Sequence, residues 1–241
     1  MRARSEMVDR PDLHQTVQSV RSGIARACAR AGRRPDEVLL VAVTKSVPLD
    51  TIRSARAEGL EHFGENRANE LAEKAPHVTA TWHFLGKLQA GTAPRVADHA
   101  HVIHSAEAGR AVERVSGRAA RADRRIPSLV QVDFTGTRQG IRPEEVATFL
   151  RHAERLPGIE LVGLMTLPPW TGDPEETRPW FARLRELRDR LGRAWPRLTE
   201  LSMGMSADYE VAVEEGATMV RVGTALFGLR PPGRGLDSGA L

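Results

Sequence analysis

Lysine is nearly missing from this 241-residue chain: Lys45, Lys74 and Lys87 stand against 32 arginines. Plain positive charge is carried by arginine, so a lysine invites a reason that arginine cannot meet, and forming a Schiff base with a carbonyl is one. Cysteine is represented by Cys28 alone, which excludes an internal disulfide and a cysteine-only metal site. Aromatic residues make up 5% of the chain and leave little for base stacking. The pI of about 9.9 reflects arginine more than net charge, which is only +4. Basic residues alternate with acids, as in Arg183, Arg185, Glu186, Arg188, Asp189 and Arg190, which describes a solvated helix face. Nucleic acid is therefore not an expected partner. No apolar run approaches the ~18 residues of a membrane span. Met1 to Pro11 carry five charged residues and no apolar core of a signal peptide, so a cytoplasmic protein is expected.

What is present is a regular alternation. Leu13, Val17, Val20, Ile24 and Cys28 follow helical spacing within Asp12 to Ala31, and Gly32 supplies the stop. Strands are then expected at Val38–Thr44, His62–Gly64, Thr81–Leu85, Val102–His104, Ser128–Phe134, Leu161–Leu167, Glu200–Met203 and Met219–Thr224. A helical segment lies between each consecutive pair: Leu49–Glu58, Arg67–Lys74, Leu88–Val96, Glu107–Ala122, Pro143–Arg155, Pro174–Leu191 and Ala207–Glu215. Strict alternation implies parallel strands joined by crossover helices. Eight such strands at a length near the roughly 250 residues of the typical barrel predict a single (β/α)8 TIM barrel with an additional N-terminal helix. A dinucleotide-binding open sheet is disfavoured, because no G-x-G-x-x-G follows the first strand. The barrel is assigned to residues 12–230, with flexible ends expected at 1–11 and at the Pro- and Gly-rich 231–241.

In a parallel barrel the chemistry sits at the carboxyl ends of the strands. The first strand, V-L-L-V-A-V-T-K, ends at Lys45, which shares a face with Val41 and Val43. A snorkelling lysine at a strand end is the plain alternative to a reactive one. Asn66 follows the second strand, His83 lies on the third, His104 and Ser105 close the fourth, and Met165 lies near the end of the sixth. Arg221 and Gly223 share a face of the eighth strand, and a buried arginine needs a partner, either a ligand acceptor or a carboxylate such as Glu65. The last two strand ends, Gly204 to Ser206 and Gly223-Thr224, have the makings of a phosphate cradle, with Ser206 also placed to cap the helix from Ala207. Asp208 and Glu210 conflict with that cradle unless they point away.

A Schiff-base lysine, a phosphate cradle across the mouth and an arginine between them suggest pyridoxal 5′-phosphate (PLP). An arginine at the pyridine nitrogen would leave the ring a weak electron sink. His99, His101 and His104 form no convincing metal set, because the first two precede the fourth strand; no metal is expected. Trp170, Trp180 and Trp195 are read as packing residues, while Met165, Met203 and Met205 either line a ring pocket or fill core gaps.

The stretches V-A-V-T-K (41–45), F-G-E-N (63–66), W-H-F-L-G-K-L-Q (82–89), I-H-S (103–105), G-I (140–141) and G-L-M (163–165) carry a family resemblance. So do S-M-G-M-S-A-D-Y-E (202–210) and M-V-R-V-G-T-A-L-F-G (219–228). Together they resemble the pyridoxal phosphate homeostasis protein family, whose fold is similar to the N-terminal barrel of alanine racemase. The resemblance implies that Lys45 carries PLP and that Arg221 meets the pyridine nitrogen. It also implies Ser206, Gly223 and Thr224 around the phosphate and Asn66 near the cofactor, and His83, Ser105 and Met165 complete the candidate set. It further implies a non-catalytic carrier that buffers or delivers PLP, with PLP-dependent enzymes as recipients; a monomer is expected. The chain departs from many relatives in having Val47, Arg138 with Gln139, and Gly91-Thr92 where they carry lysines, which bears on transfer and not on binding. Two alternatives stand: a PLP-dependent amino-acid racemase, which needs a second base where the chain has only Tyr209 to offer as tyrosine, and a phosphosugar barrel without PLP.

Overall fold

A computed structural model describes residues 12–170 and 172–228. Asp12 opens helix α1 (Leu13–Arg30) by accepting from the amides of His14 and Gln15, which satisfies donors that the first turn leaves unpaired. Its stripe of Val17, Val20, Ile24, Ala27 and Cys28 is buried, and Gly32 at φ +66° turns the chain out of the helix.

The eight strands then follow: β1 (Leu39–Val43), β2 (His62–Glu65), β3 (Thr81–Phe84), β4 (Val102–Ala106), β5 (Ile126–Val132), β6 (Ile159–Thr166), β7 (Glu200–Ser202) and β8 (Met219–Val222). All pair in parallel, and β8 pairs with β1 through Val41 opposite Arg221, so the sheet closes into a barrel in chain order. Between them run α2 (Leu49–Ala57), α3 (Ala68–Lys74), α4 (Ala93–His99), α5 (Arg110–Arg121), α6 (Val146–Ala153), α7 (Arg178–Gly192) and α8 (Tyr209–Glu214), with a short α9 (Thr224–Phe227) after β8. The fold class is therefore the expected (β/α)8 barrel with a leading helix. The expected mobile ends at 1–11 and 231–241 lie outside the described residues, as do residues 229 and 230 of the assigned barrel.

The main core is the shell between sheet and helices, where Phe63, Trp82, Phe84, Ile103 and Phe181 are almost fully buried. The helix α1 closes the outside of the barrel over α8 and α9: Arg26 and Arg30 pair with Glu210, and Thr16 Oγ1 donates to Leu226 O at 2.9 Å. Six of the seven helices between strands start later than expected, and only α2 begins where the pattern places it. The clearest case is α4, which begins at Ala93 and not at Leu88, because Gly86 and Gly91 bracket a turn at the barrel mouth. An added Cβ on Gly86 would sit 1.8 Å from Asn66 O, so this glycine lets the ends of β2 and β3 touch and thereby places Asn66.

Candidate functional site

At the carboxyl end of the barrel a cavity of about 330 Å³ is lined by Lys45, Asn66, Met165, Ser206, Arg221, Gly223 and Thr224, among others. Seven of the nine residues selected from the sequence thus converge. His83 and Ser105 do not: His83 lies deep inside the barrel, and the Ser105 hydroxyl donates to Gly86 O at 2.5 Å, holding the turn after β3. Sequence reasoning also missed Trp170, which lines the mouth while 49% exposed and is not a packing residue. Trp180 and Trp195 do pack, the first against Phe134 and the second by donating to Glu154.

Lys45 stands two residues beyond the end of β1, and among the described residues its amine has no hydrogen-bond or ion-pair partner. Its neighbours are pinned instead. Lys74, buried, spends its three protons on Thr44 O (2.9 Å), Glu65 Oε1 (2.8 Å) and Glu70 Oε2 (2.7 Å). Thr44 Oγ1 donates to Glu65 Oε1, and Ser46 N donates to Glu70 Oε2 at 2.7 Å. Ser46 sits at φ +58°, a left-handed conformation that costs a non-glycine residue ~1–2 kcal/mol. The buried Lys74 cluster therefore fixes the backbone on both sides of Lys45 and leaves its long side chain free. Burial pushes the Glu65 carboxyl up, with Lys74 and Thr44 pulling it back, whereas its hydrogen bonds to Lys74, Ser46 and Arg67 hold Glu70 below the usual carboxylate range against the opposing effect of its burial.

Glu65 is consequently not the partner of Arg221. The guanidinium, 4% exposed, donates to Ser202 Oγ at 2.5 Å and to Thr166 O at 3.0 Å, both neutral acceptors. Burial lowers its pKa to about 10, with Asp208 acting in the opposite direction.

Ser206 does not cap the helix that follows it. Its hydroxyl accepts from Gly223 N at 3.1 Å and from Ala225 N at 3.2 Å, so it sits on two main-chain amides at the start of α9. Two amides converging on one oxygen are what an anionic oxygen needs. The expected conflict with acidic neighbours is removed for one of the two residues and persists for the other. Glu210 turns outward to Arg26 and Arg30, and Asp208, though it lines the cavity, accepts from Met205 N at 2.6 Å.

Below the mouth, polar residues line up through the barrel. His62 Nδ1 lies 3.0 Å from His83 Nε2, His83 Nδ1 lies 2.8 Å from His104 Nε2, and His104 Nδ1 lies 2.8 Å from Ser202 Oγ. Burial pushes His83 down to about 3 and His104 well below 6.5, so both are neutral in the fold. Unfolded, they take up protons near 6.5, hence stability is intact above that pH and falls as pH drops through it. Urea unfolding at successive pH values should show a loss of about 3 kcal/mol per pH unit from the two rings together below pH ~6. A flat profile there would mean that the rings accept protons while folded. His101, by contrast, accepts from Trp82 N at the other rim, and no group of three or more potential metal ligands occurs among the described residues.

The family model for the alanine racemase N-terminal domain matches residues 15–231. A pyridoxal phosphate homeostasis protein of Aquifex aeolicus is 38% identical over 222 residues, covering 90% of this chain and 97% of its own. That of Pseudomonas aeruginosa is 36% identical over 92% and 97% of the two chains. PipY of Synechococcus elongatus, solved with PLP bound, superposes with a TM-score of 0.80 at 36% identity, over 90% of this chain and all of PipY. An alanine racemase of Clostridium difficile shares the fold at 16% identity and a TM-score of 0.73, with 64% of its chain covered.

Proposed function

Because this chain belongs to the pyridoxal phosphate homeostasis protein family, we infer that its barrel mouth holds PLP, covalently on Lys45, for buffering or delivery without turnover. The observation that carries this reading is the convergence of Lys45, Arg221 and the Ser206–Gly223–Thr224 cradle in one cavity. The residues fit the group. PLP supplies an aldehyde that condenses with an amine, releasing water, to a Schiff base. Lys45 offers that amine. The Ser206 hydroxyl, which accepts from the Gly223 and Ala225 amides, keeps its own proton to offer to the phosphate, and Asn66 and Met165 line the same cavity. Arg221, a donor only, would hold the pyridine nitrogen through an N–H and would leave it without a proton.

That last role disfavours carbanion chemistry, and so does the missing second base. Tyr209 turns its hydroxyl towards α1, where an added Cβ on Gly23 would lie 2.1 Å from it, and not into the mouth. Recipient enzymes are PLP-dependent apoproteins, and the carrier acts as a monomer. No described helix is long and apolar enough to cross a membrane, in keeping with a cytoplasmic carrier. Val47 is buried and does not line the mouth.

Borohydride reduction of the PLP-loaded protein followed by peptide mapping tests the reading. The expected result is one labelled peptide containing Lys45, with no measurable racemisation of alanine or serine by the unreduced protein. Steady turnover of either enantiomer, or label elsewhere only, would overturn it.

A further inference from the structure

His62, His83 and His104 are each 21 residues apart, one strand-helix unit per step. Registers place Gly64 beside His83 and Val102 beside His83, so each step to the next strand also advances two residues and keeps to one face. The rings climb from the amino-terminal rim at β2 into the barrel interior at β4. From there His104 reaches across to Ser202 on β7, and Ser202 to Arg221 on β8, at the cofactor mouth.

The direction of every bond in this line follows from its upper end. A guanidinium only donates, so Ser202 Oγ accepts from Arg221. The Ser202 hydroxyl is fully buried, and among the described residues its only other neighbour is His104 Nδ1, which must take its proton. His104 is neutral and therefore carries its hydrogen on Nε2, donating to His83 Nδ1. By the same logic His83 donates from Nε2 to His62 Nδ1, and His62 carries its hydrogen on Nε2. The opposite assignment would strand the Ser202 proton in the barrel without an acceptor.

We propose that His62, His83, His104 and Ser202 form a one-way hydrogen-bond line that positions Arg221 at the mouth and couples it to the protonation of His62 at the opposite rim. The coupling is chemical. A proton on His62 Nδ1 converts the last acceptor of the line into a donor facing the His83 N–H. The line can answer only if His83 and His104 move their hydrogens to Nδ1 together, after which Ser202 accepts from both His104 and Arg221 and its own proton loses its acceptor. His62 is half-buried beside a second cavity, at which the surrounding charges are Glu61 immediately before its strand, Arg21 on α1 and Asp36 in the turn before β1. β3 faces it with His83, and β1 contributes only Leu39 and Leu40 to the cavity. Burial keeps His62 below the ordinary histidine value against the pull of Glu61.

The bond directions stand on the protein alone, whereas the effect on the cofactor rests on the PLP reading, and the test separates them. Ring ¹⁵N spectra of the full chain without cofactor should show His83 and His104 as neutral Nε2–H tautomers at pH ~7. On acidification, the His104 ring signals should shift with the midpoint of His62, and this shift should vanish in His62→Gln. Loaded with PLP, the wild type should show a visible band that moves with the same midpoint, and His62→Gln a band insensitive to pH over that range. An Nδ1–H tautomer at either buried ring, or His104 signals indifferent to His62, would overturn the line even if PLP is retained. If PLP is not retained while the tautomers are as assigned, the PLP reading fails and the line stands on its ring signals. A role in packing alone would move neither the tautomers nor the band.

Discussion

Lys45→Ala is expected to melt at the wild-type temperature and to emerge from gel filtration stripped of PLP, whereas the wild type retains the cofactor and a visible band. The side chain is exposed and unpartnered among the described residues, so its removal takes nothing from the core. The cradle and Arg221 remain, so weak reversible binding through the phosphate should persist. The affinity loss should be at least a hundredfold, equivalent to about 2.7 kcal/mol, because the covalent bond to the amine is gone. Lys45→Arg should fare no better, since a guanidinium restores charge and length but not the amine. Retention of a trappable band by Lys45→Ala would show that another amine carries the cofactor.

Lys74→Met should have the larger effect on stability. It leaves Glu65, 0% exposed, without its cation, and frees Thr44 O and Glu70. Breaking a buried pair from one side costs about 3–5 kcal/mol. Urea unfolding of Lys74→Met, Glu65→Leu and the double variant tests this as a cycle. Removing both partners should recover most of the loss, because the uncompensated charge disappears with them. The double variant should still bind PLP more weakly than the wild type, since Ser46 would then be held in its left-handed turn by a Glu70 that has lost its buried cation and keeps only the exposed Arg67. If Lys74→Met is as stable as the wild type, the cluster does not fix the backbone around Lys45.

Much of this was legible in the order of residues. Alternation alone placed Lys45, Arg221 and the glycine-bearing ends of β7 and β8 at one rim, because closure of a parallel barrel leaves them nowhere else to go. Parity along β8 correctly paired Arg221 with Gly223 on the cavity side. What escaped is what depends on contacts between units. Ser206 faces two ways in sequence terms, towards the helix after it or towards the loop after β8, and only packing decides for the latter. The partner of Glu65 could be named only once α3 was seen to bring Lys74 back against the end of β1. The histidine line did leave a trace, an even spacing matching the strand-helix period, but spacing alone does not say that those strands present the rings inward. Trp170 escaped because a tryptophan outside any strand or helix carries no periodic signal.

The near-absence of lysine has a consequence for a protein that handles a reactive aldehyde. Of its three lysines, Lys74 has every proton engaged in a buried cluster, and only Lys45 and Lys87 present amines to solvent. A chain that built its surface charge from lysine would be peppered with adventitious adducts by its own cargo, each removing a charge and competing with the mouth. Arginine forms no such stable adduct under the same conditions. The arginine-rich exterior thus acts as chemical insulation, and it makes uptake at the mouth close to a count of cofactor carried.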